Sequence, residues 1–421
     1  MKKVSAIVIF IFFCSGLALV YLVPERNLSE GSPYNLTTHN KDKKKILIFS
    51  SKGGGGHISA TNAITEYLEP EFCVGSTFVF SNLLQSIDLT SKFRLDKKTS
   101  VDSYNEFMRK SWHRMANFVA RVGSWYFLLR KQTINKLLEK YITTHRPDLI
   151  ISVAPIVNNN LLKVAQKLDI PFLIIPTDLD GSNATLGIKK PHYNNFRLGL
   201  AYDDPSILKK IAGAAIDKKY ISYVGFPVKK SLFAPKNQRT TKKVFGIPEN
   251  KPVILLMMGS QGSGQLYAFS KQIAKIKIPA HLVIILGKSN HLTRQLHKVW
   301  FPKHISHTIL GFTNRIPELM SVADLLVTKS GGVTVNEAIY GQVPMLLDGT
   351  STVLRWEEFN HDFVKNHGLG RVVKKSYRIP QIVTKMLSKE EQGRMKMNFA
   401  LFDKKNPEHE IKLLVKQMLS S

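Results

Sequence analysis

The stretch KILIFSSKGGGGHISATNAI, residues 45–64, indicates the architecture of this chain. It opens with a mostly apolar run, typical of a strand buried on both faces, and a run of glycines follows. Residues 58–68 then place apolar or small side chains on one helical face. A buried strand, a glycine loop and a helix in this order predict the first unit of a parallel α/β sheet.

The same alternation of short apolar runs and helical segments continues along the chain. Further runs typical of buried strands occur at residues 149–153, 171–175, 198–201 and 221–224 and, beyond a basic stretch that ends at residue 250, at residues 253–258, 281–286, 307–310, 324–328 and 344–347. Helices between buried strands imply parallel sheets. We therefore predict two Rossmann-like domains in tandem, residues 45–228 and 229–421, with ligands beyond the carboxyl ends of the strands.

Glycine loops follow three of the predicted strands. The first, GGGGH at residues 53–57, opens a helix, so it would present backbone N–H groups and a positive helix end to an anion. It is not a Walker loop, because His57 and Ile58 stand where that motif needs Lys and then Ser or Thr. MGSQGSG at residues 258–264 and KSGG at residues 329–332 follow strands of the second domain. Each loop alone is a weak signal, but together they predict a ligand cleft between the domains.

The segment GFTNRIPELMSVADLLVTKSGGVTVNEAIYGQVPMLL, residues 311–347, resembles the donor-binding segment of family 28 glycosyltransferases. Residues 50–64 resemble the first loop of that family, and residues 176–179 and 224–228 add further matches. Within the family, the chain is most similar to monogalactosyldiacylglycerol synthases and processive diacylglycerol glucosyltransferases. The resemblance implies the GT-B fold, with two Rossmann-like domains facing across a cleft. It also implies inverting transfer of a hexose from a UDP-sugar to a lipid acceptor such as diacylglycerol, without a metal or other cofactor.

The resemblance places the nucleotide on the second domain. It implies that Glu337 accepts the ribose hydroxyls, that residues 259–261 hold the diphosphate, and that Phe312 flanks the uracil. The implied donor-binding residues are Gly259, Ser260, Gln261, Phe312, Ser330, Gly331, Gly332, Thr334, Glu337, Trp356, Glu357 and Asn360. Three alternatives stay open: Thr334 and Glu337 also fit a helix capping box, residues 259–261 a plain turn, and Phe312 a core aromatic.

One departure from the family concerns the sugar. The family commonly has Pro-Gly-Gln-Glu followed three residues later by Asn, whereas residues 354–360 read LRWEEFN. Glu357 and Asn360 are kept, but Trp356 replaces the glutamine that would bond the sugar hydroxyls. The departure leaves the choice among glucose, galactose and N-acetylglucosamine open. An unusual sugar, a sugar stacked on the aromatic face of Trp356, and an inactive descendant are the alternatives.

Two residues compete for the role of general base, which takes the proton of the acceptor hydroxyl as it attacks the anomeric carbon. His57 has a ring pKa suited to this task, and the resembling enzymes require the histidine at this position. Asp178 is the rival, because it follows a strand of the same domain. As alternatives, His57 could bond the backbone at a helix start and Asp178 could cap a loop or helix. Asp178 and Asp180 also spell D-x-D, which holds a divalent metal in the other large glycosyltransferase fold.

Residues 92–141 form the predicted acceptor-lipid region. Basic residues outnumber acidic ones there and are interleaved with aromatic residues. This composition suits the surface of an anionic bilayer, although a solvated helix pair with a buried aromatic seam is the alternative. We predict acceptor-side contacts from Gly55, Gly56, Trp112 and Trp125.

Residues 4–23 carry no charge over a length that suits one membrane-spanning helix. A cleaved signal peptide is the alternative, but no clear small-x-small site precedes Pro24. Residues 24–44 are typical of a flexible tether. We predict a single-pass membrane protein whose body lies at the cytoplasmic face of the inner membrane, where bacterial nucleotide sugars are found. Lys2 and Lys3 oppose that orientation, and a lumenal eukaryotic enzyme is the alternative.

The chain has 60 Lys and Arg against 31 Asp and Glu, a formal net charge of +29 that favours anionic partners. The apolar N-terminal segment and the glycine loops favour an anionic membrane surface over nucleic acid. The cysteines, Cys14 and Cys73, are too few for a disulfide framework or a cysteine-based zinc site. Besides a membrane-anchored glycosyltransferase, the scaffold suits a non-catalytic, membrane-tethered binding protein or a nucleotide-sugar epimerase.

Overall fold

The computed structural model describes part of the chain. The described residues are 33–34, 42–88, 99–109, 112, 115, 117, 129–259, 263–287, 294–296 and 298–420. They form two six-stranded parallel sheets, which confirms the predicted α/β fold with two Rossmann-like units. The predicted anchor, residues 4–23, lies outside them, as do Trp125, Ser260 and Gln261. No helix within the described ranges is long and apolar enough to cross a membrane, so the predicted transmembrane helix stays a prediction.

The first lobe is built on a sheet with the strand order β2-β1-β3-β4-β5-β6. Its strands are β1 Lys45–Ser50, β2 Cys73–Phe78, β3 Leu149–Ser152, β4 Phe172–Ile174, β5 Phe196–Leu200 and β6 Ile221–Tyr223. Its helices are α1 Gly56–Leu68, α2 Ser100–Arg109, α3 Lys131–His145, α4 Asn158–Leu168 and α5 Pro205–Ile211, with helical turns at Val79–Leu83, Gln85–Ile87, Ala212–Ala214, Lys218–Tyr220 and Lys230–Leu232. The interior residues of β1 are fully buried, which explains why this strand is a continuous apolar run.

The second lobe has the strand order β12-β11-β10-β7-β8-β9. Its strands are β7 Val253–Met257, β8 Ala280–Ile285, β9 Ile305–Leu310, β10 Leu325–Thr328, β11 Met345–Asp348 and β12 Gly370–Val373. The helices that follow the first lobe are α6 Gln238–Val244, α7 Gln265–Ile273, α8 Ile316–Val322, α9 Gly332–Gly341, α10 Phe359–Asn366, α11 Ile379–Met386, α12 Lys389–Leu401 and α13 Pro407–Ser420, with a short turn at Ser376–Arg378.

Two strands, β2 and β12, do not follow from the apolar pattern of the sequence. Each lies at the edge of its sheet, where it pairs with a single neighbour. Only alternate residues of β2 are buried, and the two middle residues of β12 are partly exposed. Edge strands of this kind lack the continuous apolar run by which the central strands were found.

The ends of the chain complicate the division at residue 228, which stays a prediction. Helix α13 belongs to the second predicted domain, yet its Ile411 and Val415 pack in one core cluster with Ile48 of the first sheet. Within the predicted tether, Tyr34 is buried and pairs with Gly75 of β2. The tether therefore touches the first lobe at this residue.

Two tyrosine hydroxyls hold the segments that pass between the lobes. The hydroxyl of Tyr67, on α1, bonds both the N–H, at 3.1 Å, and the carbonyl oxygen of Val228. The hydroxyl of Tyr340, on α9, accepts from the N–H of Phe226 at 3.1 Å and donates to the carbonyl oxygen of Lys405 at 2.9 Å. The segment that leaves the first lobe near Val228 and the segment that returns to it near Lys405 are thus bonded to α1 and α9, helices that begin at the cleft.

Candidate active site

A cavity of about 1520 Å³ lies between the carboxyl ends of the two sheets, where the glycine loops meet. The predicted site residues that line it are Gly55, Gly56, His57, Asp178, Gly259, Phe312, Gly331, Gly332, Thr334, Glu337, Trp356 and Glu357. Ser330, Asn360 and Trp112 are described but do not line it. The fold therefore brings loops from both lobes to one cleft, as their positions after the strands predict.

The first glycine loop is held by Asn105, a side chain with no local signal in the sequence. Asn105, on α2, accepts from the N–H of Gly54 at 2.9 Å and donates to the carbonyl oxygen of Lys52 at 2.9 Å. Gly54 has φ +77°, a conformation that favours glycine. Because its N–H is already bonded, the part of this loop that is free for a ligand is the uncapped start of α1.

His57 is oriented by residues from other elements of the first lobe. Its Nδ1 lies 2.9 Å from the carbonyl oxygen of Val153 and 2.7 Å from Oγ1 of Thr177. Since a carbonyl can only accept, Nδ1 carries the ring proton and Nε2 keeps its lone pair. Burial lowers the pKa of His57 to about 4, so the ring is neutral at ordinary pH. The ring therefore bonds the backbone, as the alternative role at a helix start requires, but it does so through Nδ1 only.

Whereas the pKa of His57 is lowered, the carboxyl group of Asp178 has a raised pKa. Burial raises its pKa to about 8, the neighbouring carboxylates of Asp180 and Glu357 add to the rise, and Lys329 opposes it. The carboxyl group of Asp178 is therefore mostly protonated at neutral pH. Asp180 is engaged locally, because its carboxylate accepts from the N–H and the hydroxyl of Ser182 at 3.1 and 3.0 Å. The described residues contain no group of three or more His, Cys, Asp or Glu arranged around a common point.

The first and third glycine loops face each other across the cleft. A Cβ atom at Gly332 would lie 2.6 Å from the carbonyl oxygen of Thr177, closer than real Cβ atoms come. A Cβ atom at Gly56 would lie 3.4 Å from a methyl carbon of Val333. The start of α9 therefore abuts the residues beside His57, and a side chain at Gly332 would push the lobes apart.

Lys329 lies between the second and third loops. Its Cε would be 3.0 Å from a Cβ atom placed at Gly259 and 3.5 Å from one placed at Gly331. Its Nζ is 3.3 Å from Oε1 of Glu357, which lines the same cavity. Lys329 was not singled out from the sequence, although its place directly after β10 was a signal. It sets one cation beside two glycine loops and the start of α9, paired with the carboxylate of Glu357.

Glu337 is buried within α9 and reaches the cleft with 7% of its surface exposed. The capping-box alternative is wrong, because the N-cap of α9 is Gly331 and both Thr334 and Glu337 lie inside the helix. Burial raises the pKa of Glu337 to about 7, partly offset by the nearby cation of Lys229. No described residue donates a hydrogen bond to its carboxylate, so both oxygens are available as acceptors.

Buried amides support the third loop from beneath. The side chain of Asn336 accepts from the hydroxyl of Tyr202 at 2.6 Å and donates to the carbonyl oxygen of Gly332 at 2.7 Å. Asn360 donates to the carbonyl oxygen of Ser330 at 2.7 Å. Asn360 and Ser330 thus shape the loop rather than face the cavity. Asn336 had not been singled out from the sequence.

The predicted aromatic residues occupy different surroundings. Phe312 lines the cavity and is 53% exposed, so the alternative that it belongs to the core is wrong. Trp356 lines the cavity beside Glu357. Trp112 is 53% exposed and stacks on Phe107 with ring centroids 6.1 Å apart, away from the cavity and not in a buried seam.

The first lobe contributes an apolar wall to the cavity. Its members are Phe80, Val101, Pro155, Ile156 and Leu186, all of which line the cavity. The chain thus places hydrocarbon on the side of His57, and glycine loops with Lys329 on the opposite lobe.

Comparisons with known proteins agree with this architecture. Residues 253–417 match the glycosyltransferase family 28 C-terminal domain. The chain is 23% identical over 361 residues to the processive diacylglycerol beta-glucosyltransferase of Staphylococcus carnosus, covering 82% of this chain and 85% of that protein. It is 26% identical over 380 residues to monogalactosyldiacylglycerol synthase 1, chloroplastic, of Arabidopsis thaliana, covering 84% of this chain and 66% of that protein.

The fold itself is shared with solved structures. The crystal structure of Acinetobacter baumannii MurG matches with a TM-score of 0.58 at 12% identity, covering 89% of this chain and all of that one. This likeness confirms the GT-B fold, and the sequence relatives confirm the resemblance found in the glycine loops. The chain is thus a glycosyltransferase whose residues 253–417 match the family 28 C-terminal domain, and its relatives are diacylglycerol glycosyltransferases.

Proposed function

We propose that this glycosyltransferase moves a hexose from a UDP-sugar to a lipid acceptor such as diacylglycerol, with inversion at the anomeric carbon. One observation carries the proposal. The start of α9 abuts the first lobe where Gly332 meets Thr177, and Thr177 contacts His57, whose Nε2 is free to accept a proton. One lobe thereby offers a base and an apolar wall, and the other offers an anion-binding surface. Transfer from an anionic donor to a lipid hydroxyl needs both.

His57, rather than Asp178, is the proposed general base. Its Nδ1–H is held by the carbonyl of Val153, which leaves Nε2 to accept a proton from the attacking hydroxyl. Its lowered pKa keeps the ring neutral before the reaction. Asp178 would have to lose its own proton first, because burial raises its pKa to about 8. Asp178 instead suits a hydrogen-bond donor to a substrate oxygen.

The donor would bind on the second lobe. The start of α9 and the N–H groups around Gly259 and Gly331 would face the diphosphate, with Lys329 as the countercharge. Glu337 would accept hydrogen bonds from the ribose hydroxyls, since its carboxylate is buried, at the cleft and without another donor among the described residues. We expect no cofactor, because the UDP-sugar is itself the substrate.

The acceptor would enter along the apolar wall of the first lobe. Diacylglycerol is the acceptor named for the bacterial relative, and its hydrocarbon suits a wall of Phe80, Val101 and Leu186. Together with the charge of +29, this supports work at an anionic membrane surface. The single-pass anchor at residues 4–23 and the cytoplasmic orientation are retained as parts of the proposal.

Transfer assays with the full-length protein test this function. UDP-glucose, UDP-galactose and UDP-N-acetylglucosamine would each be supplied with dioleoylglycerol in vesicles that contain phosphatidylglycerol. We expect UDP release that depends on dioleoylglycerol, and a glycolipid of inverted configuration by NMR and mass spectrometry. Epimerised donor in the absence of lipid, or no lipid product with any donor, would contradict the proposal. A His57→Gln variant controls for background hydrolysis.

A further inference from the structure

The loop between β3 and α4 contains a strained turn. Ile156 has φ +74°, and the N–H of Val157 donates to the carbonyl oxygen of Pro155 at 2.8 Å. A hydrogen bond across one residue at this φ is a γ-turn of the rare, strained hand. A β-branched residue at positive φ is a real outlier.

Of the five other non-glycine residues with positive φ in the described part of the chain, Lys190 lies in a loop, where its N–H donates to the carbonyl oxygen of Ala214, and four lie at helix ends. Arg146, Asp169, Ala215 and Gln342 each follow the last residue of a helix or helical turn, where a left-handed conformation is common. Ile156 instead precedes a helix. Its strain is therefore not a by-product of helix termination.

Hydrogen bonds fix the turn from both sides. The N–H of Ile156 donates to the carbonyl oxygen of Asn183 at 3.0 Å. Two residues further on, buried Asn158 donates to the carbonyl oxygen of Ala184 at 2.9 Å and accepts from the hydroxyl of Ser152 at 2.6 Å. Strained residues persist where the surroundings fix them in this way, and they cluster at functional sites.

The turn lies beside the proposed base. The carbonyl of Val153, which holds His57, is three residues before Ile156 on the same strand end. Ile156 is only partly buried and lines the cavity with His57. A strained backbone that presents a partly exposed apolar side chain next to the base points to a contact with the substrate rather than to core packing.

We infer that Ile156 determines which acceptor is used, an inference that rests on the proposed function. Ile156 and Pro155 line the same cavity as His57, so we place the carbon atoms next to the attacking hydroxyl along these two residues. A glycerol backbone offers hydrocarbon to this surface. A sugar ring offers further hydroxyls, which would lose their hydrogen bonds to water without gaining partners. Ile156 thus favours diacylglycerol over a hexosyl-diacylglycerol as the acceptor.

Competing acceptors test the assignment. Wild type, Ile156→Ala and Ile156→Val would be assayed with dioleoylglycerol and with its β-glucosyl derivative in the same mixed micelles. We expect Ile156→Ala to lower kcat/KM for dioleoylglycerol about tenfold, the usual effect of one lost apolar contact, with a loss of about twofold or less for the glucosyl derivative. Ile156→Val should keep most of the wild-type preference, and the affinity for UDP should not change. Equal losses on both acceptors, or no loss on either, would overturn the inference.

The strain has its own readout, which does not depend on activity. Ile156→Gly and Ile156→Ala remove the same contacts, but only glycine adopts φ +74° without cost. The glycine variant should therefore have the higher melting temperature, the reverse of the usual order. Lys163, exposed on α4, is the control, since Lys163→Ala should be more stable than Lys163→Gly. A less stable glycine variant at position 156 would overturn the inference. If wild type modifies neither acceptor, the proposed function itself fails.

Discussion

The assignment of His57 as the base can be tested by replacing the two competing residues and measuring transfer across pH. His57→Gln keeps a polar side chain of similar size but cannot take a proton at the acceptor. We expect it to lower kcat/KM by ~10²–10⁴-fold, the range for loss of general base catalysis. Asp178→Asn keeps a hydrogen-bond donor where the protonated carboxyl stands, so its loss should be much smaller, about tenfold or less.

The shifted pKa values predict different pH profiles for the two candidates. With a pKa of about 4, His57 is almost entirely neutral at pH 7, so the wild-type rate at saturating UDP-sugar should stay level down to about pH 5 and fall at lower pH. With a pKa of about 8, Asp178 is ionised in roughly one molecule in ten at pH 7. If Asp178 were the base, the rate would instead rise about tenfold between pH 7 and pH 9.

The assay is the initial rate of transfer to dioleoylglycerol in micelles, with UDP affinity measured by calorimetry on each variant. Unchanged UDP affinity in His57→Gln shows that the cleft is intact and that the loss belongs to the chemical step. A rate that climbs toward pH 9 in wild type, together with a larger loss in Asp178→Asn than in His57→Gln, would refute the assignment.

Three further predictions concern the donor site and the fold. Glu337→Gln should weaken UDP binding by ~1–3 kcal/mol, and wild-type affinity should rise with pH through about 7 as Glu337 ionises, a dependence that calorimetry should find absent in the variant. Gly332→Ala should lower transfer by about tenfold or more, because its Cβ would lie 2.6 Å from the carbonyl oxygen of Thr177 and push the lobes apart. Full activity, with unchanged dimensions in small-angle scattering, would contradict this. Gly370→Ala should destabilise the protein by ~1–3 kcal/mol, because its Cβ would lie 2.2 Å from a backbone oxygen. Gly393 lies in open space on α12, so Gly393→Ala should stabilise the protein by ~0.5–1 kcal/mol, and denaturant titrations measure both changes.

The sequence predicted those features that depend on local patterns. Central strands such as β1 and β7 are buried on both faces, so each is visible as an apolar run, and the glycine loops are visible because they follow such runs. The position of a loop after a parallel strand also predicts where it lies in space. The cleft and the glycine loops that line it could therefore be found without coordinates, while the roles of His57 and of the donor segment stay predictions.

Other features depend on contacts between residues far apart in the chain. Asn105 holds the first glycine loop from α2, more than fifty residues away, and Asn336 links α9 to Tyr202 of the other lobe. A lone asparagine carries no local signal of such a role. The strained turn at Ile156 was likewise invisible, because an isoleucine is the residue that a positive φ argues against.

The two helices that open at the cleft also hold the segments that join the lobes. Helix α1 carries His57 near its start and Tyr67 near its end, while α9 begins at Gly332 and carries Tyr340. A rotation of one lobe about the joining segments would therefore act on the same helices that position His57 and the third glycine loop. Gly332 abuts the carbonyl of Thr177, whose hydroxyl contacts His57. The arrangement of His57 and the third glycine loop therefore depends on how α1 and α9 lie relative to each other.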